Sequence, residues 1–288
     1  MKEWERMMER MSCDFFRKIK DNLDPLFFIL GPCVIESEKH SLKAAEFLKN
    51  LSEKLKFKFI FKSSFDKANR TALNNFRGVG VEEGLKILSK IKLEFDLPVI
   101  TDVHESWQVD EVAQVVDVLQ VPAFLCRQTD LLLAVGGTGK TINVKKGQFI
   151  SAQTMGKVVE KIQSTGNENI WLCERGYIFG YNNYVVDYRN FPIMKKFGKP
   201  IVFDATHSVQ LPSGQGCSSD GDRNFVAPLA TSAVAQGIAG IFMEVHDNPE
   251  NAPCDGPNSI RFSQLQDLLQ YLLDLDSWVK SKKTPIIS

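Results

Sequence analysis

Eight short β-rich runs recur along the chain with helical patterns between them, and this alternation limits the fold more than any other feature. The runs are FFILGPC (27–33), KFIFKSS (58–64), PVITDV (98–103), VLQVPA (118–123), TINVKKG (141–147), NIWLCERG (169–176), PIVFDATH (200–207) and GIFMEVH (240–246). Helix-like stretches such as 41–55, 81–95, 230–240 and 262–280 lie between or after them. Strands separated by helices pair in parallel, and eight such units close a ring. The expectation is an α/β fold, a single (β/α)8 barrel over residues 25–288. A doubly wound open sheet would carry a GxGxxG turn after its first strand, and none is present.

Residues 1–24 form an N-terminal extension in which Trp4, Met7, Met8, Met11 and Phe15 fall near helical spacing. The expectation there is a short amphipathic helix that frays or caps the barrel bottom. The 35 basic and 35 acidic residues balance, so charge gives no case for a nucleic acid or an anionic membrane as partner. No apolar run approaches the ~18–20 residues of a membrane span. The opening MKEWERMMER is broken by charge every few residues, unlike a secretory core, so a cytoplasmic location is expected. Cysteines 13, 33, 126, 173, 217 and 254 show no CxxC pair and read as reduced, mostly inert thiols.

Parallel strands buried on both faces should be nearly all apolar, yet several here carry polar residues near their C-terminal ends. Lys62 shares a face with Ile60, Asn143 with Lys145, Cys173 with Arg175, and Glu244 with His246. Burying such groups without partners costs several kcal/mol apiece. A shared, solvated site at the C-terminal mouth, where barrel enzymes work, accounts for all four strands at once.

Ring closure also gathers metal-ligand types. Cys33 ends the first strand, His207 ends the seventh, Glu244 lies in the eighth and Asp255 follows it. Strand eight neighbours both seven and one, so thiolate, imidazole and carboxylates meet at one mouth. His104 and His246 lie near the same mouth and remain open as alternatives. Lys62, Lys67 and Arg70 make one cationic group, and Lys145, Lys146 and Arg175 another, as a pair of anionic substrates would require. Lys67 and Lys146 also read as ordinary solvated lysines. VGGTGK (135–140) lacks phosphate-loop spacing and reads as a turn, while PSGQGCSSDGD (212–222) reads as a candidate mobile loop beside His207.

GPCVIES (31–37), FKSSFDKANRT (61–71), TDVHE (101–105), QVPAFLCRQTDLL (120–132), NVKKGQF (143–149), WLCERG (171–176), FDATHSVQLP (203–212) and DGP (255–257) together resemble the 3-deoxy-D-manno-octulosonate-8-phosphate synthase family. The resemblance implies condensation of phosphoenolpyruvate with D-arabinose 5-phosphate and water, for lipopolysaccharide or plant cell-wall synthesis. It implies a homotetramer and, through cysteine in the first-strand motif, the metal-dependent class. Its metal ligands match Cys33, His207, Glu244 and Asp255, holding a divalent transition metal (Zn, Fe, Mn or Co). Phosphoenolpyruvate-binding positions match Lys62, Lys67, Gln120, Ala123, Lys145 and Arg175, and sugar-phosphate positions match Asn69, Arg70 and Thr71. Lys62, Lys67, Asp102 and His207 are the expected catalytic residues, with Lys67 as proton donor. The stretch ALNNFRGVG (72–80) departs from the family's Ser/Tyr-containing continuation. The related 3-deoxy-D-arabino-heptulosonate-7-phosphate synthases carry a KPRTS-type segment where this chain has KANR. An inactive barrel serving as a binding module is the non-enzymatic alternative, and it predicts losses among Lys145, Arg175 and the metal ligands.

Overall fold

A computed structural model describes residues 16, 19–70, 72–181, 183–211 and 220–282. Eight parallel strands form its centre: β1 (Phe27–Gly31), β2 (Lys58–Lys62), β3 (Val99–Asp102), β4 (Val118–Val121), β5 (Thr141–Lys145), β6 (Ile170–Glu174), β7 (Ile201–Asp204) and β8 (Gly240–His246). They pair in sequence order, and β1 pairs with β8 from Phe27↔Gly240 to Gly31↔Glu244, which closes the ring. The helices are α1 (Glu38–Leu55), α2 (Val81–Phe95), α3 (Val109–Val115), α4 (Thr129–Gly137), α5 (Met155–Gln163), α6 (Asn190–Lys195), α7 (Val226–Val234) and α8 (Phe262–Lys280). The chain is thus a (β/α)8 barrel, as the alternation requires. None of the helices among the described residues is long and apolar enough to cross a membrane.

Strand alternation divides the core in two. Phe28, Leu30, Phe61, Leu119, Val144, Leu172, Phe203 and Met243 face outward into the helix layer. Phe27, Ile29, Ile60, Ile100, Val118, Trp171, Cys173, Val202 and Phe242 fill the barrel interior. Phe16 closes the interior cluster, its ring 5.8 Å from Phe27 and 6.2 Å from Trp171. Trp4, Met7, Met8, Met11 and Phe15 lie outside the described residues.

Local chemistry adjusts the expected boundaries. Helix α1 starts at Glu38 rather than 41 because the Ser37 side chain caps it, accepting from the His40 N–H. Helix α7 was expected over 230–240 but spans Val226–Val234. Gly237 then takes the left-handed φ of 65° that ends the excursion and turns the chain into β8. VGGTGK is only partly a turn, since α4 runs through Gly137 before the chain bends at 138–140. Of the 212–222 stretch, residues 212–219 lie outside the described residues.

Candidate active site

The inward positions continue from the apolar floor to a polar rim at the C-terminal mouth. Lys62 follows Ile60, Asp102 follows Ile100, Gln120 follows Val118, Arg175 follows Cys173, Asp204 follows Val202 and Glu244 follows Phe242, each at the two-residue step of a strand. Phe242 is the floor under the cations: its ring centroid lies 3.8 Å from Lys145 Nζ and 5.5 Å from Lys62 Nζ. Two adjoining hollows open above it. A cavity of about 280 Å³ is lined by Lys62, Lys67, Asn69, Asp102, Ala123, Lys145, Arg175 and His207. A second, of about 140 Å³, shares Lys67, Asn69, Arg175 and His207 and adds Arg70, Cys254 and Asp255.

Most of the buried charges on the rim are hydrogen-bonded, and the exceptions, Glu244 and one Arg175 nitrogen, are informative. Lys62 donates to the Cys33 carbonyl at 3.0 Å and Ser64 Oγ at 2.9 Å, and lies 3.8 Å from Asp102. Asp102 also accepts from Ser64 Oγ and from Gln120 Nε2, while Gln120 Oε1 accepts from Asn143 Nδ2 at 2.9 Å. Burial alone would raise the Asp102 pKa, but Lys62, Lys67 and Lys145 outweigh it and keep the carboxyl ionised. Gln120 stands beside Asp102 on the neighbouring strand, is fully buried and lines neither hollow. Lys145 donates to Asp204 Oδ2 at 2.6 Å. Arg175 donates to Gln210 Oε1 at 3.0 Å and lies over the Tyr184 ring, while its buried Nη1 has no hydrogen-bond partner. A buried guanidinium donor left open at a cavity wall is suited to an anion.

Lys146 does not join Lys145 and Arg175 in the cationic wall that the sequence suggests, since it lines neither hollow. It is not a solvated lysine: it is fully buried, 3.4 Å from Glu174 Oε1 and 3.7 Å from the Tyr177 ring centroid. Burial lowers its pKa. The loop after β6 folds back over it, so Lys146 braces that loop. Lys67 is largely buried too, 3.9 Å from Glu244. Burial would lower its pKa, but the anionic side of Cys33, Cys254, Glu244 and Asp255 raises it well above the usual lysine value. Asn69 and Arg70 stand at the second hollow, and Thr71 lies outside the described residues.

Asp255 links the four expected metal ligands, which fall into two overlapping groups rather than one. Cys33 Sγ is 3.1 Å from Asp255 Oδ2, and His207 Nε2 is 3.4 Å from Glu244 Oε1 and 3.8 Å from Asp255 Oδ2. One donor atom each from His207, Glu244 and Asp255 falls within a 4.8 Å cluster, and Cys33, Cys254 and Asp255 make a second that shares the aspartate. The chemistry fits a cation. Both Glu244 carboxylate oxygens are buried without a hydrogen bond, with the Lys62 ammonium no closer than 3.6 Å. Burial, then the contact with Cys254, then the charge of Asp255 push the Cys33 thiol pKa well up, so a bound cation is what would favour the thiolate. His104 lines the first hollow away from this cluster, and His246 pairs with Glu36 at 2.8 Å instead.

Two participants were not anticipated. Asp204 accepts from the His207 backbone N–H at 2.9 Å and contacts its Nδ1 at 3.0 Å, which leaves Nε2 facing the cluster. Its signal was available, since Val202 and Asp204 share the inward parity of β7. Cys254, 2.9 Å from Cys33 Sγ, had no such signal, because it sits in a loop without a period.

Comparison with known proteins gives the family. The model of the DAHP synthetase I family matches residues 16–281. A 2-dehydro-3-deoxyphosphooctonate aldolase from Dichelobacter nodosus is 57% identical over 263 residues, covering 91% of this chain and 95% of that protein. The chain belongs to the DAHP synthetase I family, in its 2-dehydro-3-deoxyphosphooctonate aldolase branch. Other members bear the same name: that of Trichlorobacter lovleyi is 58% identical over 88% of this chain and 94% of its own length. That of Francisella tularensis subsp. holarctica is 54% identical over 91% of this chain and 95% of its own length. In this family member the cationic rim and the cluster of Cys33, His207, Glu244 and Asp255 share one barrel mouth.

Proposed function

We propose that the protein condenses phosphoenolpyruvate with D-arabinose 5-phosphate and water, giving 3-deoxy-D-manno-octulosonate 8-phosphate and inorganic phosphate. The observation that carries this is the pair of adjoining hollows. One is walled by Lys62, Lys145 and Arg175, and the other is reached by Arg70, with Asn69 lining both. The aldolase name of the relatives selects the eight-carbon product over the seven-carbon one.

Lys145, the open Arg175 Nη1 and the Ala123 edge hold the phosphoenolpyruvate phosphate above Phe242, while Asn69, Arg70 and Thr71 hold the sugar phosphate. Carbon 3 of phosphoenolpyruvate attacks the aldehyde carbon, and water adds to carbon 2. Collapse of that tetrahedral centre breaks its bond to the phosphate oxygen and expels phosphate. Lys62 and Lys67 offset the negative charge that accumulates in the shielded site. Lys67 lines both hollows, between the two substrates, and is the candidate to protonate the aldehyde oxygen as the new carbon–carbon bond forms. Asp102 keeps Lys62 placed. A divalent transition metal held by Cys33, His207, Glu244 and Asp255 would supply Lewis-acid charge beside the aldehyde or the water. A cytoplasmic homotetramer completes the proposal. Exposed Trp107, Phe124, Phe149 and Phe179, on the loops after β3 to β6, support assembly.

Phosphate release is the test. Arabinose 5-phosphate should support turnover, erythrose 4-phosphate should not, and a chelator should abolish activity until metal is restored. Preference for erythrose 4-phosphate would overturn the substrate assignment. Full activity after metal stripping would overturn the metal's role, and no turnover with either sugar would favour the inactive binding module.

A further inference from the structure

The metal-ligand cluster contains a sulfur that the four-residue set leaves out. Cys254 Sγ lies 2.9 Å from Cys33 Sγ and 3.4 Å from Asp255 Oδ2, and both cysteines are buried. One donor atom each from Cys33, Cys254 and Asp255 falls within 4.8 Å of the others. We propose that Cys254 is a second sulfur ligand of the metal, giving a two-thiolate centre that takes zinc or a similarly soft cation in preference to manganese. The inference rests on the metal centre proposed above.

Backbone conformation brings the two neighbours together. Consecutive side chains of an extended segment point to opposite sides. Asp255 instead takes the left-handed region, φ 50° and ψ 27°, a conformation that aspartate tolerates better than most residues. The turn lets Cys254 and Asp255 aim at the same point, opposite Cys33. Two sulfurs bound to one zinc at about 2.3 Å, with an angle of roughly 109° between them, sit roughly 3.7 Å apart. The observed pair needs to open by less than 1 Å to admit the ion.

The surroundings of Cys254 fit a metal thiolate. Arg70 donates from Nη1 to Cys254 Sγ at 2.9 Å and from Nη2 to the Pro253 carbonyl at 3.1 Å. Hydrogen bonds to ligating sulfur are a recurrent outer contact of metal centres. Because Arg70 is also the proposed sugar-phosphate ligand, Cys254 ties that site to the metal. A centre with two sulfurs and one imidazole suits zinc, whereas manganese prefers oxygen donors.

Zinc-edge X-ray absorption of the zinc-loaded full-length protein counts the sulfurs directly. Two sulfurs near 2.3 Å are expected in the unaltered protein, and one in Cys254→Ser or in Cys33→Ser. Cobalt titration gives a second reading, as the thiolate-to-cobalt absorption should fall to about half in Cys254→Ser. One sulfur in the unaltered protein would overturn the role of Cys254 while leaving the four-residue centre intact. Failure of the metal-free protein to take up zinc at all would overturn the centre itself.

Discussion

Asp204 holds two functional side chains with one carboxylate: His207 through Nδ1 and Lys145 through its ammonium. Burial would raise its pKa, but His207 and Lys145 outweigh that and hold it far below the usual carboxylate range. Asp204→Asn keeps the shape and removes the charge. Zinc affinity, measured by competition with a chelator, should fall about 10–100-fold because His207 loses its orienting partner. Lys145 would be left buried without its counter-ion, at a cost of about 3–5 kcal/mol that a denaturant titration reads. Arg175→Lys probes the other wall of the same hollow. It keeps the charge but loses the fork of donors, so KM for phosphoenolpyruvate should rise about 10–100-fold, corresponding to one or two lost charged hydrogen bonds. KM for the sugar phosphate should move much less, and equal rises in both would count against the assignment of the hollows.

Among the elements, the seam between β1 and β2 leaves no room for a side chain at Gly31. A Cβ on Gly31 would stand 1.9 Å from the Lys62 carbonyl oxygen, which is backbone and cannot swing aside. Gly31→Ala should therefore cost about 1–3 kcal/mol of stability and push Lys62 and Cys33 apart, visible as lower metal content in whatever protein folds. A second element contact predicts an alkaline response. The Tyr188 hydroxyl donates to the Leu229 carbonyl of α7 at 2.7 Å, and burial pushes its pKa up to about 12. The folded state favours the neutral phenol, so its contribution is complete below pH ~10 and is lost as pH rises through about 12. Thermal melts between pH 9 and 11 should show a smaller decline in Tyr188→Phe than in the unaltered protein. Helices α2 and α8 were legible to the residue because each carries a sustained 3.6-residue pattern. Strands were legible in place but not in length. The polar ends of the β-rich runs belong to the mouth loops, where hydrogen bonding to side chains replaces the ladder, and composition does not mark that change.

For the molecule as a whole, light scattering should return four times the 32.5 kDa chain mass. Replacing Phe149 and Phe179 together with serine should lower it, since removing apolar area from a contact surface weakens association. Much of the site was legible from strand parity. Lys62, Asn143, Lys145, Arg175 and Glu244 follow once an apolar strand shows polar residues at alternate positions. Lys146 was misread because parity points it out of the barrel, and only the folded-back loop after β6 encloses it there. Cys254 was illegible because its aim depends on the left-handed turn at Asp255, a backbone choice that carries no repeating pattern.

The closure of the ring through β1 and β8 also sets a schedule. Cys33 leaves the ribosome well before its contacts Cys254 and Asp255, which lie 221 and 222 residues later. While the chain is being made, the first ligand has no companions until the last strand emerges. A nascent chain halted before Gly240 has neither Glu244 nor a partner for the open edge of β1, so it should hold no zinc. If the proposed centre binds zinc, uptake should come last in biogenesis, so zinc content measured on stalled and full-length chains should separate an interrupted barrel from a finished one.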